Sequence, residues 1–98
     1  MLTTEQIKHT VSEYFRDKPV RKVYLFGSYA TGEENENSDV DLSVVLSDDA
    51  KVNYMTLAGY LVDLEKSLEK KIDLVEEKMI YKQLKPFIDR SKILIFDK

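Results

Sequence analysis

A mixed α/β (α+β) fold, with a sheet of about four strands flanked by helices, follows from three features of this chain. Two apolar runs, 20–26 and 39–46, are joined by a short and mostly polar link, which suits an antiparallel pair. More than 20 residues separate the second run from a third at 71–77, a length that suits a helical crossover between parallel strands. Segments with helical spacing precede, separate and follow these runs.

The elements can be justified in chain order. Residues 3–17 open with Thr3 and Gln6 as a capping box and carry Ile7, Val11, Tyr14 and Phe15 at helical spacing, until Asp17-Lys18-Pro19 stops them. The run 20–26, VRKVYLF, is β-branched and aromatic without helical period and is halted by Gly27. A polar loop covers 33–38. Strict alternation over 39–46 sets Asp39, Asp41, Ser43 and Val45 on one face of a strand and Val40, Leu42, Val44 and Leu46 on the other. Ser47, Asp48 and Asp49 offer caps for a helix reaching about Lys70, with Leu57, Leu61, Leu64 and Leu68 as its core stripe. KIDLVEE, 71–77, is the third strand. Ile80, Leu84, Phe87 and Ile88 mark a last helix, which Pro86 is expected to kink or interrupt, and Lys92–Phe96 closes the sheet.

Length and charge bound the function. The 98 residues, 43% hydrophobic and 10% aromatic, suffice for one domain with one core over 1–98. A net charge of −3 offers no basic field for phosphate backbones, so general nucleic-acid binding is not expected. The absence of cysteine removes disulfides, thiolate metal sites and cysteine nucleophiles. No apolar segment has signal-peptide or membrane-spanning length, and a cytoplasmic, membrane-free protein is expected.

The chemistry gathers around LFGSYATGEENENSDVDLSVV, residues 25–45. Carboxylates at i and i+2 of a strand lie roughly 6 to 7 Å apart and repel by roughly 2.5 kcal/mol at an effective dielectric of about 20. A divalent cation between Asp39 and Asp41 removes that repulsion, and hard oxygen ligands suit magnesium or manganese. Two carboxylates pointing into water on an open sheet face would look the same. Gly27-Ser28 lets backbone approach an anion, and a helical turn over Tyr29-Ala30-Thr31 would add free N–H groups to the Ser28 hydroxyl; a Gly-Ser turn is also ordinary punctuation. Asp73, between Ile72 and Leu74, reaches the same cleft if the second and third strands pair. His9, the one histidine, falls on the first helix as a surface residue. Asn35, Asn37, Asp39 and Asp41 imitate a calcium loop, but Val40 and Leu46 stand where such a loop needs glycine and glutamate.

Gly27-Ser28, ten intervening residues, then Asp39-Val40-Asp41 resemble the GS-x10-DxD signature of the minimal nucleotidyltransferase (MNT) antitoxins, within the DNA polymerase beta-like nucleotidyltransferase superfamily. The resemblance implies a polymerase beta palm-like nucleotidyltransferase fold in which Asp39 and Asp41 bind two Mg2+ ions carrying ATP. Gly27 and Ser28 would hold the terminal phosphates, and Asp73 would complete the metal site and deprotonate the acceptor. It further implies transfer of AMP to a tyrosine of a HEPN-domain toxin as partner. Thr31 departs from the arginine that many members carry in a GS-x-A-R-G pattern.

No part of the chain remains to form an acceptor-binding domain, so the acceptor brings its own surface; a partner protein does so, as does a second copy in a homo-oligomer. Met55, Gly59 and Val62 lie opposite the leucine stripe of the long helix and are expected to contact a partner. Two other readings stand beside the enzyme: an antitoxin acting by contact alone, and nucleotidyl transfer to a small molecule or an RNA end.

Overall fold

The computed structural model describes residues 2–98. Its elements run α1 (Thr4–Phe15), β1 (Val20–Phe26), a one-turn helix α2 (Ser28–Thr31), β2 (Val40–Leu46), α3 (Tyr54–Leu68), β3 (Ile72–Glu76), a 3-10 turn (Glu77–Met79), α4 (Lys85–Ser91) and β4 (Ile93–Asp97). The sheet order is β3-β2-β1-β4, with β1 antiparallel to both β2 and β4 and with β2 parallel to β3. The mixed four-stranded sheet and its parallel crossover therefore agree with the spacing of the apolar runs.

The capping box of α1 forms as expected: Gln6 N–H donates to the Thr3 hydroxyl at 3.1 Å and Thr3 N–H donates to Gln6 Oε1 at 2.8 Å. Ile7, Val11 and Phe15 repeat every fourth residue and are fully buried. They meet Tyr60, Leu64 and Leu68 of α3 over the sheet face made by Val23, Leu25, Val40, Leu42, Val44, Ile72 and Ile95. Each such burial stabilises by roughly 1.5–3 kcal/mol. Phe15 and Tyr60 pack edge to face at 5.5 Å between centroids. Tyr14 donates its hydroxyl to Asp63, tying α1 to α3, and burial with that carboxylate raises the phenol's pKa.

Four expectations change. α3 is capped by Asn53, whose side chain accepts from Thr56 N–H at 3.0 Å, and not by Ser47, Asp48 or Asp49, which lie in the preceding loop. Its buried stripe is Tyr60, Leu64 and Leu68, while Leu57 and Leu61 are only half-buried, because the first half of α3 overhangs the β3 side of the sheet. Pro86 neither kinks nor interrupts a helix: it sits in the first turn of α4, where its missing N–H costs nothing. Ile80 lies outside α4, and Leu84 and Phe87 are exposed. α4 instead leans on charge: Lys85 and Lys92 both reach Glu77, at 2.7 and 3.3 Å, and Lys92 also pairs with Asp89 at 2.9 Å.

Candidate active site

β1 ends at Phe26, and the chain then passes through Gly27 with φ 75° and ψ −155°, a conformation open essentially to glycine alone. The demand comes from across the sheet. Phe26 is the register partner of Asp41, so Gly27 rises beside the Asp41 carboxylate, and a Cβ on Gly27 would lie 2.1 Å from Asp41 Oδ2. The Gly27 carbonyl accepts from Ala30 and Thr31 N–H at 3.1 and 3.2 Å, closing α2. At the front of that turn the N–H groups of Ser28 and Tyr29 have no acceptor within it. The Thr31 hydroxyl donates to the Ser28 carbonyl at 3.3 Å and so serves the turn itself. Tyr29 anchors the turn in the core; its hydroxyl is buried without a partner, and burial followed by the nearby Glu34 carboxylate raises its pKa.

Asp39 immediately precedes β2 instead of lying within it, and Asp41 is the second residue of that strand. Val40 between them is fully buried, which turns both carboxylates toward the opposite side. Asp73 of β3 is the direct register partner of Asp41 in the parallel pair. Adjacent strands lie about 4.8 Å apart, so these two carboxylates stand side by side. The Asp41 carboxyl is pushed up to about 6, first by burial, then by the charge of Asp73, then by that of Asp39. The structure thus brings Asp39, Asp41, Asp73 and the Gly27-Ser28 turn into one neighbourhood.

The donor set there is all carboxylate, the hard-oxygen chemistry that magnesium prefers. Among the described residues no group of three His, Cys, Asp or Glu side chains is arranged to hold a metal ion as it stands; Asp73 and Asp39 act on Asp41 as repelling charges. A bound cation would relieve that repulsion. Two features bear on such an ion: Asp41 and Asp73 are held in register on paired strands, and the lack of a Cβ at Gly27 leaves the Asp41 carboxylate its room.

Of two further residues near the acids, the sequence set Ser43 on their face without giving it a role and did not single out Lys71. The Lys71 ammonium stands 4.0 Å from Asp39 Oδ2; its sole prior signal was a basic residue two positions before the third acid. Ser43, on the Asp41 side of β2, is fully buried between Tyr24 and Val75 in the register, and its hydroxyl has no partner. His9 is exposed on α1. Asn35 accepts from Asn37 N–H at 2.8 Å, shaping a turn in the 33–38 loop. A hollow of about 570 Å³ lies elsewhere, at the β3 side of the sheet between α3 and the 3-10 turn, with Leu57, Leu61, Leu74 and Met79 in its wall. Its mostly apolar lining offers little to a phosphate, whereas the free N–H groups of the α2 turn do.

The polymerase beta nucleotidyltransferase family model matches residues 5–98. A protein of Methanocaldococcus jannaschii that carries the name protein adenylyltransferase is 36% identical over 98 residues, covering 93% of this chain and 92% of the relative. A second protein of that organism and name is 29% identical over 96 residues, with the same coverage of 93% and 92%. Among solved structures, a minimal nucleotidyltransferase superposes with a TM-score of 0.76 at 26% identity, over 94% of this chain and 95% of that one. A toxin-antitoxin crystal structure with AMP-PNP gives a TM-score of 0.79 at 22% identity, over 93% of this chain and 73% of that one, a likeness of fold. So does the tri-AMPylated Shewanella oneidensis HEPN toxin in complex with MNT antitoxin, with a TM-score of 0.73 at 18% identity over 96% of this chain and 72% of that one. With the shared fold, a family match from residue 5 to the last residue, and a relative above 30% identity over nearly its full length, the chain belongs to the polymerase beta nucleotidyltransferase family.

Proposed function

We propose that this chain is a magnesium-dependent protein adenylyltransferase that transfers AMP from ATP to a tyrosine hydroxyl of a HEPN-domain toxin, and so acts as that toxin's antitoxin in the cytoplasm. The observation that carries the reading is the parallel register of Asp41 with Asp73, with Asp39 adjoining and Gly27 packed on the Asp41 carboxylate. The names of the relatives favour a protein acceptor, and the toxin-antitoxin structures sharing the fold favour a HEPN partner.

In this reading Asp39, Asp41 and Asp73 hold two magnesium ions. Such ions would supply charge neutralisation for the triphosphate and lower the pKa of the acceptor hydroxyl. The front of α2, with the Ser28 hydroxyl and the N–H groups of Ser28 and Tyr29, takes the terminal phosphate oxygens, which glycine at 27 allows to come close. Asp73, the more exposed partner of Asp41, accepts the proton of the tyrosine hydroxyl as its oxygen attacks the α-phosphorus. A bond from that oxygen to the α-phosphorus forms, the bond from the α-phosphorus to the bridging oxygen breaks, and pyrophosphate leaves with the electron pair.

The test is direct: incubation with labelled ATP, magnesium and the HEPN protein should put label on the partner, and Asp39→Ala with Asp41→Ala should abolish it. Neutralisation that persists in the double variant at stoichiometric amounts would point to inhibition by contact alone. Absence of label on any candidate acceptor would remove the reading.

A further inference from the structure

The turn between α3 and β3 is held from several directions. Glu69 closes α3 in the left-handed conformation, φ 51°, and Ile72 N–H donates to the Glu65 carboxylate at 3.1 Å. The Lys71 carbonyl accepts at 3.0 Å from the N–H of Val40, the residue between Asp39 and Asp41. Lys70 reaches the other way and donates to the Glu36 carbonyl. The backbone of Lys71 is therefore part of the ladder that sets β2 beside β3. Its side chain is 77% exposed, with the ammonium 4.0 Å from Asp39 Oδ2. Among the described residues no other ion pair reaches Asp39, Asp41 or Asp73.

We infer that Lys71 is a tethered counter-ion of the acid cluster: without nucleotide its ammonium covers the Asp39 oxygen that a divalent cation would take, and with metal-ATP it moves to the triphosphate. This rests on the nucleotidyltransferase reading of the three acids. The physical case is one of sign. A fixed positive charge beside a ligand carboxylate opposes a second cation arriving alone, yet it attracts a polyanion that brings the cation with it. An exposed pair at this distance is weak, and the four-carbon stem of lysine is flexible, so the ammonium exchanges partners easily. Metal would then enter with nucleotide in preference to entering by itself. Lys71 contacts the substrate in this scheme, and a purely structural lysine would not produce effects of opposite sign.

The experiment uses the full chain at about 0.15 M salt, where exposed pairs are partly screened. Mn2+ binding without nucleotide is followed by electron paramagnetic resonance of the free ion, and Mg-AMP-PNP binding by calorimetry. Lys71→Met should bind Mn2+ about three- to fivefold more tightly and Mg-AMP-PNP about three- to fivefold more weakly, with Lys71→Arg close to the parent in both. Unchanged or weaker Mn2+ binding in Lys71→Met, or unchanged nucleotide binding, overturns the inference. If Asp39→Asn still abolishes Mn2+ uptake in that case, only the role of Lys71 is lost. A parent protein that takes up no Mn2+ even with nucleotide overturns both this inference and the reading it rests on.

Discussion

Gly27 and Asp41 touch so closely that one added carbon on the glycine would fall 2.1 Å from the aspartate's Oδ2. The turn that meets the phosphates and the carboxylate that meets the metal in the proposed reaction are thus one steric unit.

Gly27→Ala should therefore fail twice. The backbone at φ 75° and ψ −155° strains any side chain, at about 1–3 kcal/mol, and the new methyl displaces Asp41. Gly32→Ala is the control, since Gly32 also has positive φ, 79°, but a Cβ there meets nothing within 4 Å. Urea unfolding should show loss of stability in both, whereas Mg-AMP-PNP binding should fall at least about tenfold only in Gly27→Ala, a loss of about 1.4 kcal/mol.

Asp41 gives a pH signature. Its carboxyl titrates at about 6 in the folded chain against an ordinary 3.8, so the folded state holds this proton more tightly than the unfolded state. The stability it lends is complete below about pH 3.8 and is lost as the pH rises through about 6. Without metal, melting temperature should fall between pH 5 and 7, and Asp41→Asn should flatten that slope. At pH 7 the variant should gain roughly 1 kcal/mol, after discounting for a carboxyl about half in water. Saturating magnesium should abolish the parent's slope, because the ion takes over the role of the proton. A slope unchanged in Asp41→Asn would refute this account.

Asp73 separates binding from chemistry. If it takes the acceptor's proton, Asp73→Asn should slow single-turnover AMP transfer by about 10²–10⁴-fold. Mg-AMP-PNP affinity should change far less, because Asp39 and Asp41 remain. Equal losses in rate and affinity would make Asp73 a metal ligand only.

The outer face of α3 tests the partner. Met55 is 80% and Val62 46% exposed, and Gly59 between them has open space where a side chain would be. Met55→Glu with Val62→Glu should weaken co-purification with the HEPN partner, while each exposed substitution shifts stability by no more than about 0.5 kcal/mol. An undiminished complex would free this face from the interface.

What could be read beforehand was what period and length encode. The alternation of Val40, Leu42 and Val44 with Asp39 and Asp41 fixes which side each occupies, because a strand has a period of two. The crossover length put Asp73 on a neighbouring parallel strand, and the register with Asp41 agrees. Helix α3 was less legible. Ser47, Asp48, Asp49 and Asn53 are all competent caps, and only the path of the loop selects Asn53. Its apolar positions 57, 60, 61, 64 and 68 span a wide arc, so which edge is covered depends on how far the helix overhangs the sheet. Pro86 was ambiguous for a similar reason, since it ends a helix from inside and begins one at the first turn. Lys71, one exposed lysine in a Lys70-Lys71 pair, acquires meaning only through its 4.0 Å approach to Asp39.

Both long helices pack on the side of the sheet that carries Val40 and Leu42, away from Asp39 and Asp41. Among the described residues, therefore, neither long helix stands between Asp39 or Asp41 and a bulky folded molecule that brings the reacting group. In the proposed reaction, a site that those helices leave uncovered imposes little limit on the size of what is modified. Discrimination between correct and incorrect targets then falls to contacts made at a distance from the bond being formed.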